Sequence, residues 1–226
     1  MQTREDMENE LRRWLKVATN STVFPAARLT QLIQDAHIWA TSYYVWDELV
    51  RARVTGTKAN TNYYDYPEDF RSNTVVKLRI DGLKYDRKNF ETFEEFTSDN
   101  PTADNVRIFA NFGRQYFVFP TPSAVGVRNI SVWGAIQADD LGSPVTKTIF
   151  SLSNEEGNEA IVKKAYSVAK NDKSFEDKAI AILTTIQDKR ADSTQRDQVD
   201  RPIFDVPDYF GGGVGTFIPG NTNRNY

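Results

Sequence analysis

The 226-residue sequence contains no cysteine and only one histidine, His37. The absence of cysteine excludes disulfide bonds, thiolate metal sites and a cysteine nucleophile. With a single imidazole, a metal site would have to consist of carboxylates. A Ser–His–Asp arrangement would have to use His37, and no Gly-x-Ser-x-Gly segment is present to hold a serine nucleophile. These absences remove several enzyme classes from consideration.

An excess of basic residues and a long apolar run are also missing. Lysine and arginine number 28 against 31 aspartates and glutamates, so the net charge is −3 and no basic cluster predicts tight nucleic-acid binding. No run approaches the roughly 20 apolar residues of a membrane-spanning helix. Residues 1–14 are charged throughout and lack the apolar stretch of a signal peptide. We therefore expect the chain to remain in the cytoplasm where it is made and to bind no membrane.

The residues from Arg28 to Arg53 carry the strongest periodic pattern in the chain. Apolar side chains recur at the i, i+3, i+4 spacing of an amphipathic helix, and this stripe is rich in tryptophan and tyrosine. The pattern predicts one continuous helix about 40 Å long, which needs several partner elements to cover its apolar face. A first helix is predicted over residues 4–18.

The middle of the chain is predicted to form a small antiparallel β-unit of about five strands. Asp81-Gly82 separates two alternating segments, so we expect a hairpin in which Ile80 faces Leu83 and Leu78 faces Tyr85. A second hairpin is predicted to turn at Gly113-Arg114, with strands covered on both faces. The aromatic segment Phe90–Phe96 predicts a short helix or turn over the sheet, and residues 129–138 predict the last strand.

Two alanine-rich helical patterns follow, the first stopping near Asn171-Asp172 and the second starting at a Ser174/Asp177 capping motif. We therefore predict an α+β fold: an antiparallel helical bundle built around one long helix, with a small inserted antiparallel β-unit and an extended C-terminal arm. The predicted segments are 1–58 (N-terminal helices of the bundle), 59–150 (inserted β-unit), 151–196 (C-terminal helix pair) and 197–226 (arm).

The C-terminal segment contains three consecutive glycines, three prolines and five large aromatic residues without periodicity, so it cannot build a core of its own. A disordered terminus is one interpretation. The other, which we favour, is a partner-binding arm whose spaced apolar side chains become ordered against another protein. The predicted contact residues of this arm are Phe204, Tyr209, Phe210, Phe217, Ile218 and Tyr226.

No catalytic or cofactor-binding residues are predicted. His37 borders the apolar stripe and is interpreted as a hydrogen-bonded structural histidine. The glycines at 211–215 lack the Lys-Ser/Thr ending of a phosphate-binding loop and are interpreted as a hinge. A carboxylate-dependent hydrolase is the enzyme alternative, and its candidate acids are adjacent pairs that would point to opposite faces of a strand. These pairs are Glu68-Asp69, Glu94-Glu95 and Asp139-Asp140.

Three further features of the sequence occur together: a tryptophan-rich helix, the segment Tyr66-Pro67-Glu68-Asp69-Phe70, and the Pro-x-Pro strand end between Phe117 and Gly126. With the alanine-rich helix pair, they resemble the head–tail adaptor (connector or neck-ring) proteins of tailed bacteriophages over residues 25–195. These motifs are turn and core features rather than catalytic ones.

The resemblance implies a non-enzymatic structural virion protein, made in the host cytoplasm and located in the neck. It implies a homo-oligomeric ring of twelve copies that joins the portal protein to a tail or nozzle protein and extends the DNA channel. DNA would pass through the lumen without specific binding, and no cofactor is expected. The alternatives are another neck or tail-tube component of the same virion, or the hydrolase.

Overall fold

The computed structural model of the protein describes residues 2–101, 105–153 and 155–199. The chain divides into two compact units, Met1–Gln187 and Asp188–Tyr226. The first unit contains the sheet and the helical core, and the second is described as far as residue 199.

Six α-helices and seven β-strands are present in the described residues, together with a short 3-10 helix, Asp47–Leu49. The helices are α1 (Arg4–Leu15), α2 (Ala26–Tyr43), α3 (Phe90–Asp99), α4 (Phe150–Ser153), α5 (Glu156–Lys170) and α6 (Lys173–Val199). The strands are β1 (Val50–Thr55), β2 (Tyr63–Asp65), β3 (Phe70–Ile80), β4 (Leu83–Lys88), β5 (Ile108–Phe112), β6 (Gln115–Phe119) and β7 (Ile130–Ile136). Within this described part, no helix has the length and apolar character needed to cross a bilayer.

The seven strands form one sheet in the order β1-β7-β3-β4-β5-β6-β2, which curls into a half-barrel. All neighbours are antiparallel except β4 and β5, which are parallel. The concave face of this half-barrel holds its own core, which consists of aromatic and aliphatic side chains from six of the strands and from residue 66: Tyr64, Tyr66, Phe70, Val75, Leu78, Ile80, Tyr85, Phe109, Tyr116, Val118, Ile130 and Val132.

Four helices, α1, α2, α5 and α6, share a second core. Leu11, Ile33, Ile161 and Leu183 lie in it, one from each helix, and all four side chains are fully buried. Thr3 and Asp6 form a capping box that starts α1. The strand residue Ala135 also belongs to this core, so the helical layer packs against one end of β7.

The prediction of one continuous helix from Arg28 to Arg53 is wrong, because α2 ends at Tyr43. The guanidinium of Arg71 on β3 donates to three carbonyl oxygens at this end, those of Thr41 (2.9 Å), Ser42 (2.6 Å) and Tyr44 (3.4 Å). The indole of Trp46 donates to the carbonyl of Ala40 at 3.1 Å. Side chains thus satisfy the carbonyls that a helix end leaves without partners, and the chain turns into β1.

The predicted fold class, a helical bundle with a small inserted antiparallel β-unit, is therefore also wrong. The sheet is larger than expected because residues 50–53, predicted to be helical, belong to β1, and Tyr63–Asp65 form β2. The sheet is mixed because α3 lies between β4 and β5, and a connection containing a helix is long enough to return the chain parallel to the strand that it left. The four-segment division of the chain stays a prediction.

Other local predictions are confirmed. Ile80 pairs with Leu83 and Leu78 with Tyr85 across the Asp81-Gly82 turn. Both turn residues have positive φ angles, 52° and 78°, as this tight hairpin requires. The hairpin at Gly113-Arg114 is present, and α3 covers β5 and β6 through its three phenylalanines. The predicted Ser174 cap is wrong: α6 starts one residue earlier, and the Asp172 carboxylate accepts from the Ser174 amide at 3.0 Å.

Candidate interaction surfaces

The adjacent acids proposed for a hydrolase lie in three different parts of the chain: the turn before β3, helix α3 and the connection after β7. Glu94 and Glu95 are exposed on α3, and Asp69 forms an exposed ion pair with Arg53. Asp140 accepts a hydrogen bond from Gln34 at 2.6 Å. These positions are typical of solvated surface charges rather than of an acid and base that act on one bond.

In the part of the chain that the structure describes, two other carboxylates have displaced pKa values, and both shifts are downward. Hydrogen bonds from the backbone and side chain of Thr3 lower the pKa of Asp6, and the hydrogen bond from Lys84 lowers that of Asp86. A general acid needs the opposite shift. Within the described residues, no group of three or more His, Asp or Glu side chains is placed to hold a metal ion.

His37 is buried in α2, with 2% of its surface exposed, and lines a cavity of about 180 Å³ together with Asp139 and Ile149. Its burial confirms a structural position. The predicted hydrogen bonding is wrong, because neither ring nitrogen has a hydrogen-bond partner among the residues that the structure describes. Burial lowers the pKa of His37 to about 4, although the charges of Asp140 and Asp139 partly oppose this shift. The imidazole is therefore neutral at pH 7 and cannot act there as an acid.

The connection between β6 and β7, here named loop 120–129, has a fixed conformation and an exposed apolar tip. Thr57 holds its middle: the hydroxyl donates to the Ala124 carbonyl at 3.0 Å, and the Thr57 carbonyl accepts from the Gly126 amide at 3.2 Å. At its tip, Val125 and Val127 are 74% and 85% exposed. Two valines presented to solvent on a hydrogen-bonded loop are a typical protein contact site.

A groove of about 480 Å³ separates loop 120–129 from the turn between β3 and β4. Leu83, itself 49% exposed, contributes to this groove, and Asp81 and Arg107 add one charge of each sign. The apolar lining is completed by Ile80, Tyr85, Pro120, Pro122 and Val125. Loop and groove together form a surface that an apolar side chain of another protein can enter.

Sequence reasoning did not identify this surface. Val125 and Val127 carry no periodic pattern, because they lie in a loop, and their exposure depends on Thr57, which is distant in the sequence. The sequence indicates the exposed loop only through a Val-Gly-Val segment that follows Pro-x-Pro at the end of β6. The six predicted arm residues, Phe204, Tyr209, Phe210, Phe217, Ile218 and Tyr226, lie outside the described residues, as do the glycines at 211–215.

Comparison with known proteins gives the family. Residues 2–203 match the family model described as SU10 adaptor protein, which covers most of the 226 residues. No curated protein sequence matches the chain. The resemblance found in the sequence is thus confirmed: the chain belongs to the SU10 adaptor protein family and is a structural protein of a bacteriophage virion, a head–tail adaptor.

Proposed function

We propose that this adaptor forms a ring of twelve copies between the portal and the tail, extends the DNA channel and provides the surface to which the tail attaches. The family supports an adaptor role. In this proposal the C-terminal arm, through Phe204, Tyr209 and the other four predicted residues, binds the portal protein. DNA slides through the lumen without specific contacts, which agrees with the net charge of −3.

The observation that carries the proposal is the exposed apolar tip of loop 120–129. A folded loop held by Thr57 keeps Val125 and Val127 in place before any partner arrives, so binding requires little further ordering. Because the arm supplies the portal contact in this proposal, we assign loop 120–129 to the tail or nozzle protein. One chain would then carry a separate contact for each neighbour.

Changing Val125 and Val127 together to aspartate should abolish attachment of the tail or nozzle protein while leaving the fold and the portal contact intact. Charged side chains at the centre of an apolar contact lose their hydration without gaining a partner. Binding of purified tail or nozzle protein to adaptor–portal complexes measures the effect. Val145→Asp, at a 71% exposed position in another loop, is the control. Tail binding that survives the double substitution would contradict the role of this loop.

Truncation after Arg201 should remove the portal contact rather than the tail contact. All six predicted arm residues are removed, so portal binding should be lost while circular dichroism and thermal unfolding stay close to those of the full chain. Co-sedimentation with portal rings measures the loss. A truncated chain that still binds the portal would refute the portal-binding role of the arm. If the full-length chain binds only tail-tube proteins, the protein is a different neck or tail-tube component.

A further inference from the structure

The convex side of the sheet has a region that neither α3 nor the helical layer covers. Alternation along the paired strands β1, β7, β3 and β4 places one set of side chains on it. α3 covers this side over β5 and β6, and the helical core reaches it at Ala135. Between them lies the open sheet face, defined by Ala52, Val54, Lys77, Arg79, Lys84 and Trp133.

The open sheet face combines apolar surface with a cluster of cations. Val54 is 50% exposed, and the ammonium of Lys77 lies over the Trp133 ring, 4.9 Å from its centroid. Arg79 stands directly opposite Lys84 in the strand register. Like charges directly opposite each other destabilise a sheet. The ion pair of Lys84 with Asp86 offsets this repulsion only at the β4 side of the open sheet face. An acidic partner laid across the face would remove the repulsion.

The chain carries a matching acidic surface on α3. Its inner face packs Phe90, Phe93 and Phe96 against the sheet. Its outer face presents a stripe at the i, i+3, i+4, i+7 spacing, formed by the exposed residues Glu91, Glu94, Glu95 and Ser98. No lysine or arginine occurs between Phe90 and Asp99, so this stripe carries three negative charges and no positive charge.

We propose that the acidic stripe of α3 of one copy docks on the open sheet face of the next copy around the ring. The dimensions agree: a ten-residue helix is about 15 Å long, and four strands span about 14 Å. The contact uses two different surfaces, so it is heterologous and repeats around a closed ring. Because α3 is already seated on β5 and β6 of its own chain, its acidic stripe can reach an open sheet face only on a second copy.

This inference rests on the proposed ring, and charge reversal in the full chain tests the two separately. One variant carries Lys77→Glu and Arg79→Glu, and the other carries Glu94→Lys and Glu95→Lys. Each should reduce the number of adaptor rings on portal by at least about tenfold in low salt, because like charges then meet at the contact. The variant with all four changes should recover ring formation, which a folding defect would not allow. Exposed positions keep circular dichroism unchanged.

A second measurement uses the absence of native cysteine. Arg79→Cys in one population and Glu94→Cys in another should form covalent dimers with a short bismaleimide when the two are mixed and assembled on portal. Either population alone should not. If rings form but the mixed populations give no cross-link, the proposed interface is wrong and the proposed ring is not contradicted. The same conclusion follows if none of the charge reversals changes ring formation. If the charge reversals leave the number of rings unchanged but alter the retention of DNA, the open sheet face binds nucleic acid and the proposed interface is wrong. Absence of rings from the wild-type chain overturns both proposals.

Discussion

Replacement of Trp46 by alanine should lower the free energy of unfolding by about 4 kcal/mol. Trp46 is fully buried at the corner where α2 gives way to β1. Its indole donates to the Ala40 carbonyl, and its ring lies edge-on to Phe150 with centroids 5.1 Å apart. The substitution therefore leaves a cavity and removes this hydrogen bond at the junction of the helical core and the sheet.

Chemical denaturation of the two proteins measures this loss. Trp133→Ala is the matched control, since it removes the same atoms from a partly exposed position on the open sheet face and should change the free energy of unfolding by about 1 kcal/mol. Equal losses at the two tryptophans would show that Trp46 does not hold the junction.

The stability of the protein should fall by about 3 kcal/mol between pH 6.5 and pH 4 because of His37 alone. Burial lowers the pKa of His37 from 6.5 in the unfolded chain to about 4 in the folded one. In this interval the unfolded chain binds a proton that the folded chain does not. Stability is therefore fully present above pH 6.5 and is lost as the pH falls through the interval.

Leucine at position 37 removes the titration and leaves no unpaired nitrogen, so the His37→Leu variant should have a nearly flat stability curve from pH 6.5 to 4. Urea unfolding at several pH values measures both curves. Because Asp6 and Asp86 have lowered pKa values, their contributions are lost at more acidic pH, below the interval of His37. If the variant loses as much stability as the wild type over this interval, His37 does not control it.

Local rules predicted the elements that depend on neighbouring residues. The Asp81-Gly82 hairpin needs only two adjacent residues that accept positive φ angles between alternating strands, and its register agrees pair by pair. The aromatic spacing of Phe90, Phe93 and Phe96 likewise predicted the helix that covers β5 and β6. Both patterns occupy ten residues or fewer.

The wrong predictions depended on residues distant in the sequence. The periodicity of residues 28–53 continues past Tyr43, but Arg71 binds the carbonyls at the end of α2 and makes another helical turn unnecessary. β1 then forms because β7, far along the chain, supplies its hydrogen bonds. No local pattern contains these partners, so tertiary contacts overrode the helical period.

For the candidate interaction surfaces too, features set by neighbouring residues could be predicted and features set by distant residues could not. The family could be inferred from turn and core motifs, because these are short segments such as Tyr66-Pro67-Glu68-Asp69-Phe70. Loop 120–129 and the open sheet face could not, since Val125 depends on Thr57 for its position and Arg79 meets Lys84 and Trp133 only through strand register. An interaction surface assembled from distant residues is visible only after folding.

Electron microscopy of purified portal rings incubated with the full chain tests the central claim, that this protein is an assembly component which recognises other virion proteins through its surfaces. We expect one additional ring of density on each portal, with the symmetry of twelve copies. Portal rings that stay bare at saturating concentrations of the chain would contradict it.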